Sequence, residues 1–432
     1  MRFTLALVLY RLLFLLLTPL LLVVLLLRST NHPAYRKRLL ERLGILEKNL
    51  EPNGIVVHAA SVGEIIALKP FISQLLIYNP EMPVTVTTFT PTGSAQVKKL
   101  FADKVQHCYL PLDNIISTTM FLKRLKPKAM VFMETELWPN LISQCKSNQI
   151  KLLLVNGRLS DKSMRSYQKL AWLITPAIQS FDRILTQSQV NQENYIAMGA
   201  TPEMCKLSGN LKFDVSLNND VVTKQRELNS LMTEKRKIWL IASSHPGDEA
   251  LVLKAFEHVK QQDSKALLII VPRHPERFEQ VAKLAQDAGN HVLKRSQNQL
   301  VSLNTQVWII DTLGELLAAC SLADVVTMGG SFSDIGGHNP LEPALFQKPV
   351  IVGPNMSNFK EILVQLMSAQ GIVQLVENED MPKALANEVL RLFTDETSAQ
   401  ILGSNSYKVV QANQGATTQS LTALQNLLKS PY

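Results

Sequence analysis

Short apolar runs alternate with amphipathic stretches from residue 54 onward, and this pattern restricts the fold more than any other feature of the chain. Strands of a parallel sheet are buried on both faces, so they read as continuous apolar runs, and such runs between helical segments are typical of βαβ units. The runs predicted to be strands are 55–60, 84–89, 129–133, 151–155, 183–186, 238–242, 266–271, 307–310, 324–328 and 349–352. The segments predicted to be helices include 64–78, 94–101, 138–149 and 190–198.

A polar stretch, 213–237, interrupts the alternation, which then restarts. At ~150 residues per domain, this length fits two or three domains. We therefore predict an α/β protein with two Rossmann-like, doubly wound domains, 31–213 and 238–403, joined by a linker at 214–237. Residues 404–432 are predicted to form a closing helix. Ligands of open parallel sheets bind outside the carboxyl ends of the strands, so the residues after each strand are the functional candidates.

Residues 1–30 form a separate apolar segment, in which Arg11 is the only charge between positions 3 and 27. This exceeds the ~20 residues that cross a bilayer, so we predict a membrane-anchoring helix. Basic residues follow it and place the rest of the chain in the cytoplasm by the positive-inside rule. They are Arg28, Arg36, Lys37, Arg38 and Arg42.

Two other interpretations of this segment are disfavoured. A cleaved signal peptide needs a small-x-small site, and none follows Leu27. An in-plane amphipathic helix needs a polar face, whereas leucines run all round this one. Spanning and deep insertion from one side both stay open, and the basic run suits an anionic membrane surface.

Composition narrows the class of protein further. Hydrophobic residues make up 46%, which excludes a disordered chain. The four cysteines form no CxxC pair, so neither a disulfide framework nor a structural zinc site is expected, and we predict no metal and no cofactor. The net charge of +8 favours acidic ligands or an acidic surface but does not indicate nucleic acid.

The strand ends of the first half carry carboxylates. Ser61 precedes Glu64 by three residues after the strand at 55–60, which fits either a capping box or a proton acceptor at the edge of the sheet. Glu134 and Glu136 follow the strand at 129–133. In an extended segment they would point to opposite sides, so at most one should face a ligand; a helix-capping cluster is the alternative. Lys212, near the end of this half, suits either an anion or a solvated surface.

The strand ends of the second half suit an anion. Pro272, Arg273, His274 and Arg277 follow the strand at 266–271, and arginine binds phosphate bidentately. Residues 313–315 follow the next strand, where Gly314 permits close approach of a ligand to the backbone and Glu315 starts a helix.

The stretch 328–343 is rich in glycine and ends in a predicted helix start near Pro340. A helix N-terminus attracts phosphate, and Glu342 in the first turn could accept hydrogen bonds from ribose hydroxyls. No DxD motif follows a strand, so basic groups and helix dipoles would neutralise a leaving phosphate. This division, with carboxylates in one half and a nucleotide site in the other, fits a nucleotide-sugar glycosyltransferase of the GT-B type.

Several motifs, in this order behind the apolar segment, resemble the 3-deoxy-D-manno-octulosonic acid (Kdo) transferases of Gram-negative bacteria: HAASVGE, ETELWPN, GNLKFD, PRHPER, LGEL, GGSF and GGHNPLEP. The resemblance covers nearly the whole chain. It implies a membrane-anchored, inverting GT-B enzyme of lipopolysaccharide biosynthesis on the cytoplasmic face of the inner membrane. Such an enzyme moves Kdo from CMP-Kdo to the lipid A precursor lipid IVA.

The same resemblance implies roles for individual residues. Glu64 matches the general base, and Glu134 and Lys212 match groups that stabilise the transition state. The first half would then bind the acceptor and the second half the CMP-sugar. The positions that match CMP-binding segments are Pro272, Arg273, Leu313, Gly314, Glu315, Asn339, Pro340, Leu341 and Glu342, with Glu136 and His338 as further additions.

Two other functions fit parts of the pattern. One is a GT-B transferase or epimerase that uses a UDP-sugar, for which UDP rather than CMP should compete. The other is a non-catalytic, membrane-anchored nucleotide-binding protein, which would need no proton acceptor at position 64.

Overall fold

The computed structural model describes residues 2–31, 33–214 and 219–429. The chain divides into two compact units. The first comprises 1–214 and 413–432, and the second comprises 215–412.

The first unit is built on a seven-stranded parallel sheet in the order β3-β2-β1-β4-β5-β6-β7. Its strands are β1 Ile55–His58, β2 Val84–Thr88, β3 Gln106–Tyr109, β4 Ala129–Met133, β5 Lys151–Gly157, β6 Arg183–Thr186 and β7 Cys205–Leu207. Its helices up to this point are α1 Arg2–Asn31, α2 Val62–Tyr78, α3 Pro91–Phe101, α4 Ile115–Leu125, α5 Pro139–Ser147, α6 Asp161–Gln168, α7 Ala171–Gln179 and α8 Gln189–Ala197. The strand order reverses between β1 and β4, so this is the switch point where a doubly wound sheet binds ligands.

The second unit repeats the architecture with the order β10-β11-β9-β8-β12-β13-β14, all parallel. Its strands are β8 Ile238–Ser244, β9 Leu267–Pro272, β10 Val292–Lys294, β11 Val307–Ile309, β12 Val325–Met328, β13 Val350–Val352 and β14 Val373–Gln374. Its helices are α9 Asn219–Leu231, α10 Asp248–Gln262, α11 Phe278–Asp287, α12 Leu316–Leu322, α13 Leu341–Ala344, α14 Lys360–Ser368, α15 Met381–Thr394 and α16 Glu396–Asn413. Here the switch point lies between β8 and β12.

The core of the first unit has two layers because successive side chains of a strand point to opposite faces. Ile55 and Val57 of β1 face α2 and α3, whereas Val56 faces the side covered by α4, α5 and α7. The two α/β units therefore confirm the predicted fold class.

Two of the predicted boundaries need correction. The expected linker at 214–237 contains α9, because Val221 and Leu228 are buried and α9 packs on α12; residues 215–218 lie outside the described residues. The expected closing helix at 404–432 is divided at Gly415, whose φ of +99° ends α16. The chain then returns to the first unit as α17, Ala416–Lys429, which packs on α2.

The basic run after the apolar segment also differs from expectation. Arg28, Arg36 and Lys37 are exposed, as binding to lipid headgroups requires. Arg42 is buried instead: it donates to the Phe89 carbonyl at 2.6 Å and lies 4.0 Å from the centre of the Tyr109 ring. It therefore contributes to packing in the first unit and is unavailable to lipid.

Candidate active site

Glu64 lies in the first turn of α2, directly after β1 and beside the switch point of the first sheet. Its Oε1 accepts a hydrogen bond from the Ser61 hydroxyl at 2.7 Å, and its Oε2 accepts one from the Ala60 amide at 2.9 Å. Ser61 is the N-cap of α2 and accepts in turn from the Glu64 amide at 3.3 Å. The helix start predicted from the sequence therefore fixes the carboxylate in one orientation.

The electrostatic surroundings make Glu64 a stronger base. Burial raises the pKa of Glu64, and the hydrogen bonds from Ser61 and Ala60 oppose that rise. The negative charges of Glu134 and Glu136 raise the pKa of Glu64 further. A carboxylate with a raised pKa holds a proton more tightly, which is what general-base catalysis near neutral pH requires.

The segment after β4 is not extended, so the premise on which Glu134 and Glu136 were expected to diverge does not hold. Glu134 has a φ of +54°, and the chain turns sharply there. The Glu134 amide still donates to the Val155 carbonyl at 3.0 Å, and the hydroxyl of buried Tyr195 donates to the Glu134 carbonyl at 3.2 Å. Both carboxylates lie near enough to Glu64 for their negative charges to raise its pKa.

The alternative interpretation was that these glutamates cap the following helix, but neither Glu134 nor Glu136 does so. The first amides of α5 donate instead to Asp113, from Asn140 at 3.0 Å and from Leu141 at 2.9 Å. Glu136 accepts from the Trp138 indole at 2.9 Å and lies 3.3 Å from Nε2 of His58.

His58 is fully buried at the end of β1, and its Nδ1 lies 3.0 Å from the Thr87 hydroxyl. Glu136 is thus held from two sides, by His58 and by Trp138.

Lys212 is brought to Glu134, with 3.9 Å between Nζ and Oε1. It lies in a short 3-10 turn, Leu211–Phe213, in which the Asn210 side chain accepts from the Lys212 amide at 3.0 Å. Its side chain is 31% exposed, so the ammonium group is open to a ligand as well as to Glu134. The first unit therefore brings all three predicted catalytic side chains, Glu64, Glu134 and Lys212, to the carboxyl ends of its strands.

The two arginines of the loop after β9 differ in what they contact. Arg277 donates to Glu249 at 2.6 and 3.3 Å, and Glu249 is fully buried and also accepts from Ser244. Arg273 is exposed, and only its amide, which donates to the Ser244 carbonyl at 3.0 Å, holds the loop. Of the two, Arg273 alone is available to an anion.

Residues 313–315 follow β11. Leu313 is exposed, and Gly314 has a φ of +78°, which favours glycine. The carboxylate of Glu315 is already engaged, since it lies 3.3 Å from Arg295 and accepts from the Thr312 hydroxyl. The Gly314 carbonyl accepts from Nζ of Lys224 at 3.3 Å. The exposed Leu313 side chain therefore remains for a ligand.

The helix predicted near Pro340 is present but short. It is the single turn of α13, and the Asn339 side chain accepts from the Leu341 amide at 3.2 Å. One turn gives only a small helix dipole, so phosphate binding at this helix start stays a prediction.

Glu342 contributes a half-buried carboxylate. Burial raises the pKa of Glu342 to about 7, and the charge of Arg273 opposes that rise. Among the described residues, no hydrogen-bond donor to the Glu342 carboxylate opposes this rise in its pKa.

A histidine cluster lies at the second switch point. Nε2 of His245 is 2.7 Å from Nε2 of His338, and the two rings stack at 4.9 Å, so one ring donates and the other accepts. The His274 ring lies 5.1 Å from His245. Burial lowers the pKa of His338 to about 4, and His245, Arg273 and His274 lower it further. An anion bound here would relieve that repulsion.

Comparison with known proteins assigns the chain to a family. A family model described as 3-deoxy-D-manno-octulosonic-acid transferase (kdotransferase) matches residues 37–215. A 3-deoxy-D-manno-octulosonic acid transferase of Haemophilus influenzae is 39% identical over 425 residues, which cover 98% of each chain. The chain belongs to the Kdo transferase family. It is therefore a glycosyltransferase.

Solved structures agree with the fold of this Kdo transferase family member. UDP-GlcNAc 2-epimerase from Neisseria meningitidis is 15% identical, with a TM-score of 0.52, over 87% of this chain and 100% of that one. A glycosyltransferase from Rickettsia africae is 14% identical, with a TM-score of 0.52, over 88% and 100%. At these identities the two structures establish the fold alone, which is of the GT-B type.

Several groups at the two sites of this Kdo transferase family member have no counterpart among the sequence candidates. The loop after β8 supplies His245 and Asp248, and the Asp248 carboxylate joins that loop to the glycine loop after β12 by accepting from the His245 and Gly330 amides. The signal that could have identified His245 and Asp248 is their position directly after a strand, which is the criterion applied to the other loops. His58 stands in the HAASVGE motif, but its contact with Glu136 depends on the pairing of β1 with β4.

Proposed function

We propose that this chain transfers Kdo from CMP-Kdo to lipid IVA with inversion at the anomeric carbon. The observation that carries the proposal is Glu64, a half-buried carboxylate with a raised pKa, fixed at the switch point of the first sheet. The family gives the reaction class, and this carboxylate gives the proton acceptor that an attacking hydroxyl needs.

In the proposed mechanism, Glu64 removes the proton from a glucosamine hydroxyl of lipid IVA. That oxygen attacks the anomeric carbon of Kdo, and the bond to CMP breaks with its electron pair on the phosphate. The anomeric centre passes through an oxocarbenium-like state, as in glycoside chemistry generally. Lys212 and Glu134 stabilise the charges that develop, and their separation of 3.9 Å leaves the ammonium group able to turn to a ligand.

The second unit binds the CMP moiety in this proposal. Arg273 contacts the phosphate, because Arg277 is bound to Glu249. Glu342 accepts hydrogen bonds from the ribose hydroxyls, and its raised pKa fits a carboxylate that lacks donors in the free protein. The Leu313 side chain offers an apolar surface to the cytosine ring of CMP. Pro272, Gly314, Glu315, Asn339, Pro340 and Leu341 shape the site through the backbone.

We also propose that α1 attaches the chain to the cytoplasmic face of the inner membrane, where lipid IVA lies. A helix at 5–30 is long and apolar enough to cross a membrane by length and composition. The exposed Arg28, Arg36 and Lys37 at its end suit anionic headgroups and the phosphates of lipid IVA.

Mass spectrometry after incubation with CMP-Kdo and lipid IVA tests the proposal. We expect lipid IVA to gain Kdo, and the Glu64→Gln variant to form product about 10²–10⁴-fold more slowly while it still binds CMP. CMP should inhibit and UDP should not. Inhibition by UDP alone would support a UDP-sugar enzyme, and CMP binding without any product would support a non-catalytic nucleotide-binding protein.

A further inference from the structure

The polar side chains in the middle of α1 all contact the first unit. The Tyr10 hydroxyl donates to Oδ2 of Asp113 at 2.8 Å. Nε of Arg11 donates to Oδ1 of Asn140 at 2.9 Å. Thr18 accepts from the Asn114 side chain at 3.0 Å. These contacts join α1 to the loop before α4 and to the start of α5.

Asp113 is the centre of this contact. It is fully buried, and besides Tyr10 it accepts from two amides at the start of α5. Burial raises the pKa of Asp113 to about 7, and these hydrogen bonds oppose that rise. If α1 were elsewhere, the Asp113 carboxylate would lose one of its three donors, which is unfavourable for a buried charged group.

The contact extends along the helix. Ala6, Leu7, Leu25 and Ser29 are buried, and the half-buried positions between them continue the same stripe: 10, 11, 14, 17, 18, 21 and 22. These spacings of three and four residues mark one face of a helix. At 1.5 Å per residue, the stripe from 6 to 29 is roughly 35 Å long. α7 and α5 pack against part of it, and the 3-10 turn Pro33–Arg36 that follows α1 packs back on the helix as well.

The opposite face of α1 is apolar and exposed. It includes Leu5, Val8, Leu9, Leu12, Leu13, Leu15, Leu16, Leu20, Val23, Val24, Leu26 and Leu27, of which Leu16 is the most open at 78%. An exposed apolar surface of this extent marks an interaction site, and its uniform leucine and valine content suits acyl chains.

These two faces are incompatible with a helix that crosses the bilayer. A crossing helix would carry the docked surface of the first unit into the hydrocarbon core along its whole length. It would also bring the Arg11 guanidinium into the hydrocarbon region, which is unfavourable for a charged group. We infer that α1 lies in the membrane plane, docked on the first unit, with its leucine face in the cytoplasmic leaflet and both ends on the cytoplasmic side. The sequence alone disfavoured this orientation because α1 lacks a polar face, but the face docked on the first unit takes the place of one.

Residues beside α1 fit the same orientation. Ile116 and Met120 of α4 are exposed near the Thr18 contact, and Trp172 is exposed on α7, which packs on α1. Tryptophan favours the membrane interface. α6 packs on α7, and the basic residues of and after α6 are exposed, which suits anionic headgroups; they are Lys162, Arg165 and Lys169.

Cross-linking in inner-membrane vesicles tests the docked helix. The full chain carrying Thr18→Cys and Asn114→Cys should form a disulfide on mild oxidation, because the two side chains are in contact. The matched control carries Leu16→Cys and Asn114→Cys, with position 16 on the exposed face. It should cross-link at least about tenfold less, since a disulfide needs Cα atoms within ~7 Å. The four native cysteines are buried and unpaired.

A second measurement tests the side on which the helix begins. A cysteine-containing tag before Met1 should react with a membrane-impermeant maleimide in inside-out vesicles and not in intact spheroplasts. Labelling in spheroplasts, or equal cross-linking of the two cysteine pairs, would overturn the inference. This inference depends on the proposed membrane attachment and not on the transfer reaction. A chain found only in the soluble fraction refutes the attachment, whereas a failed transfer assay leaves both readouts unchanged.

Discussion

The two units place charged groups at the carboxyl ends of similar sheets, but they use them differently. In the first unit, Glu64 is fixed by one hydroxyl and one amide, and the negative charges near it raise its pKa. In the second unit, several charged groups at the strand ends bind one another. Arg277 contacts Glu249, and Arg295 contacts Glu315.

This difference shows that charge at a strand end is not by itself a measure of ligand binding. The first unit concentrates like charges, which costs stability and strengthens a base. The second unit pairs its charges to hold loops and leaves Arg273 and Glu342 for a ligand. Substitutions in the first unit should therefore affect turnover, and those in the second should divide between stability and CMP affinity.

The largest expected effect is on turnover in the first unit. Glu64→Gln keeps the size of the side chain and removes the base, so kcat should fall by about 10²–10⁴-fold. The dissociation constant of CMP should not change. Glu81→Gln, an exposed glutamate after α2, is the matched control and should keep wild-type kcat. Near-wild-type kcat for folded Glu64→Gln would rule out this base.

The next effect is on stability in the second unit. Arg277→Ala leaves the carboxylate of fully buried Glu249 without its guanidinium partner, and such losses destabilise by about 3–5 kcal/mol. Urea denaturation of the full chain measures this. A variant as stable as the wild type, but with weakened CMP binding, would show that Arg277 serves the ligand instead.

Arg273 lies four residues before Arg277, and Arg273→Ala should weaken CMP binding rather than stability. The side chain is exposed, so the free energy of unfolding should change little. Loss of a charge-assisted hydrogen bond to phosphate should weaken CMP binding by about tenfold to a hundredfold, as calorimetry would measure. Unchanged affinity would remove Arg273 from the proposed site.

The smallest effect concerns pH. Burial raises the pKa of Glu64, and so do the charges of Glu134 and Glu136. The base acts deprotonated, so kcat/KM should fall as pH drops through this raised pKa, at a higher pH than for an ordinary glutamate. Glu136→Gln removes one of the charges, which lowers the pKa of Glu64 and moves the acid limb to lower pH. An unmoved limb, or one moved upward, would contradict the charge coupling.

The strands visible in the sequence are those inside the two sheets. All ten predicted strands are present, and the four that the sequence does not reveal are β3, β7, β10 and β14, which form the sheet edges. An edge strand is paired on one side only and is short, so it lacks a continuous apolar run. The three residues of β7 illustrate this, since Cys205 is buried whereas Lys206 and Leu207 are exposed.

Local signals in the sequence determined the two α/β units, the helix start that holds Glu64, and the apolar character of α1, because these depend on neighbours a few residues apart. Only the tertiary structure decided that Arg277 is bound to Glu249, that Glu134 and Glu136 both act on Glu64, and that one face of α1 lies against Asp113. These outcomes join residues 28 to 103 positions apart or depend on one turned residue after β4. Such contacts arise from burial and strand pairing, which a linear pattern does not specify.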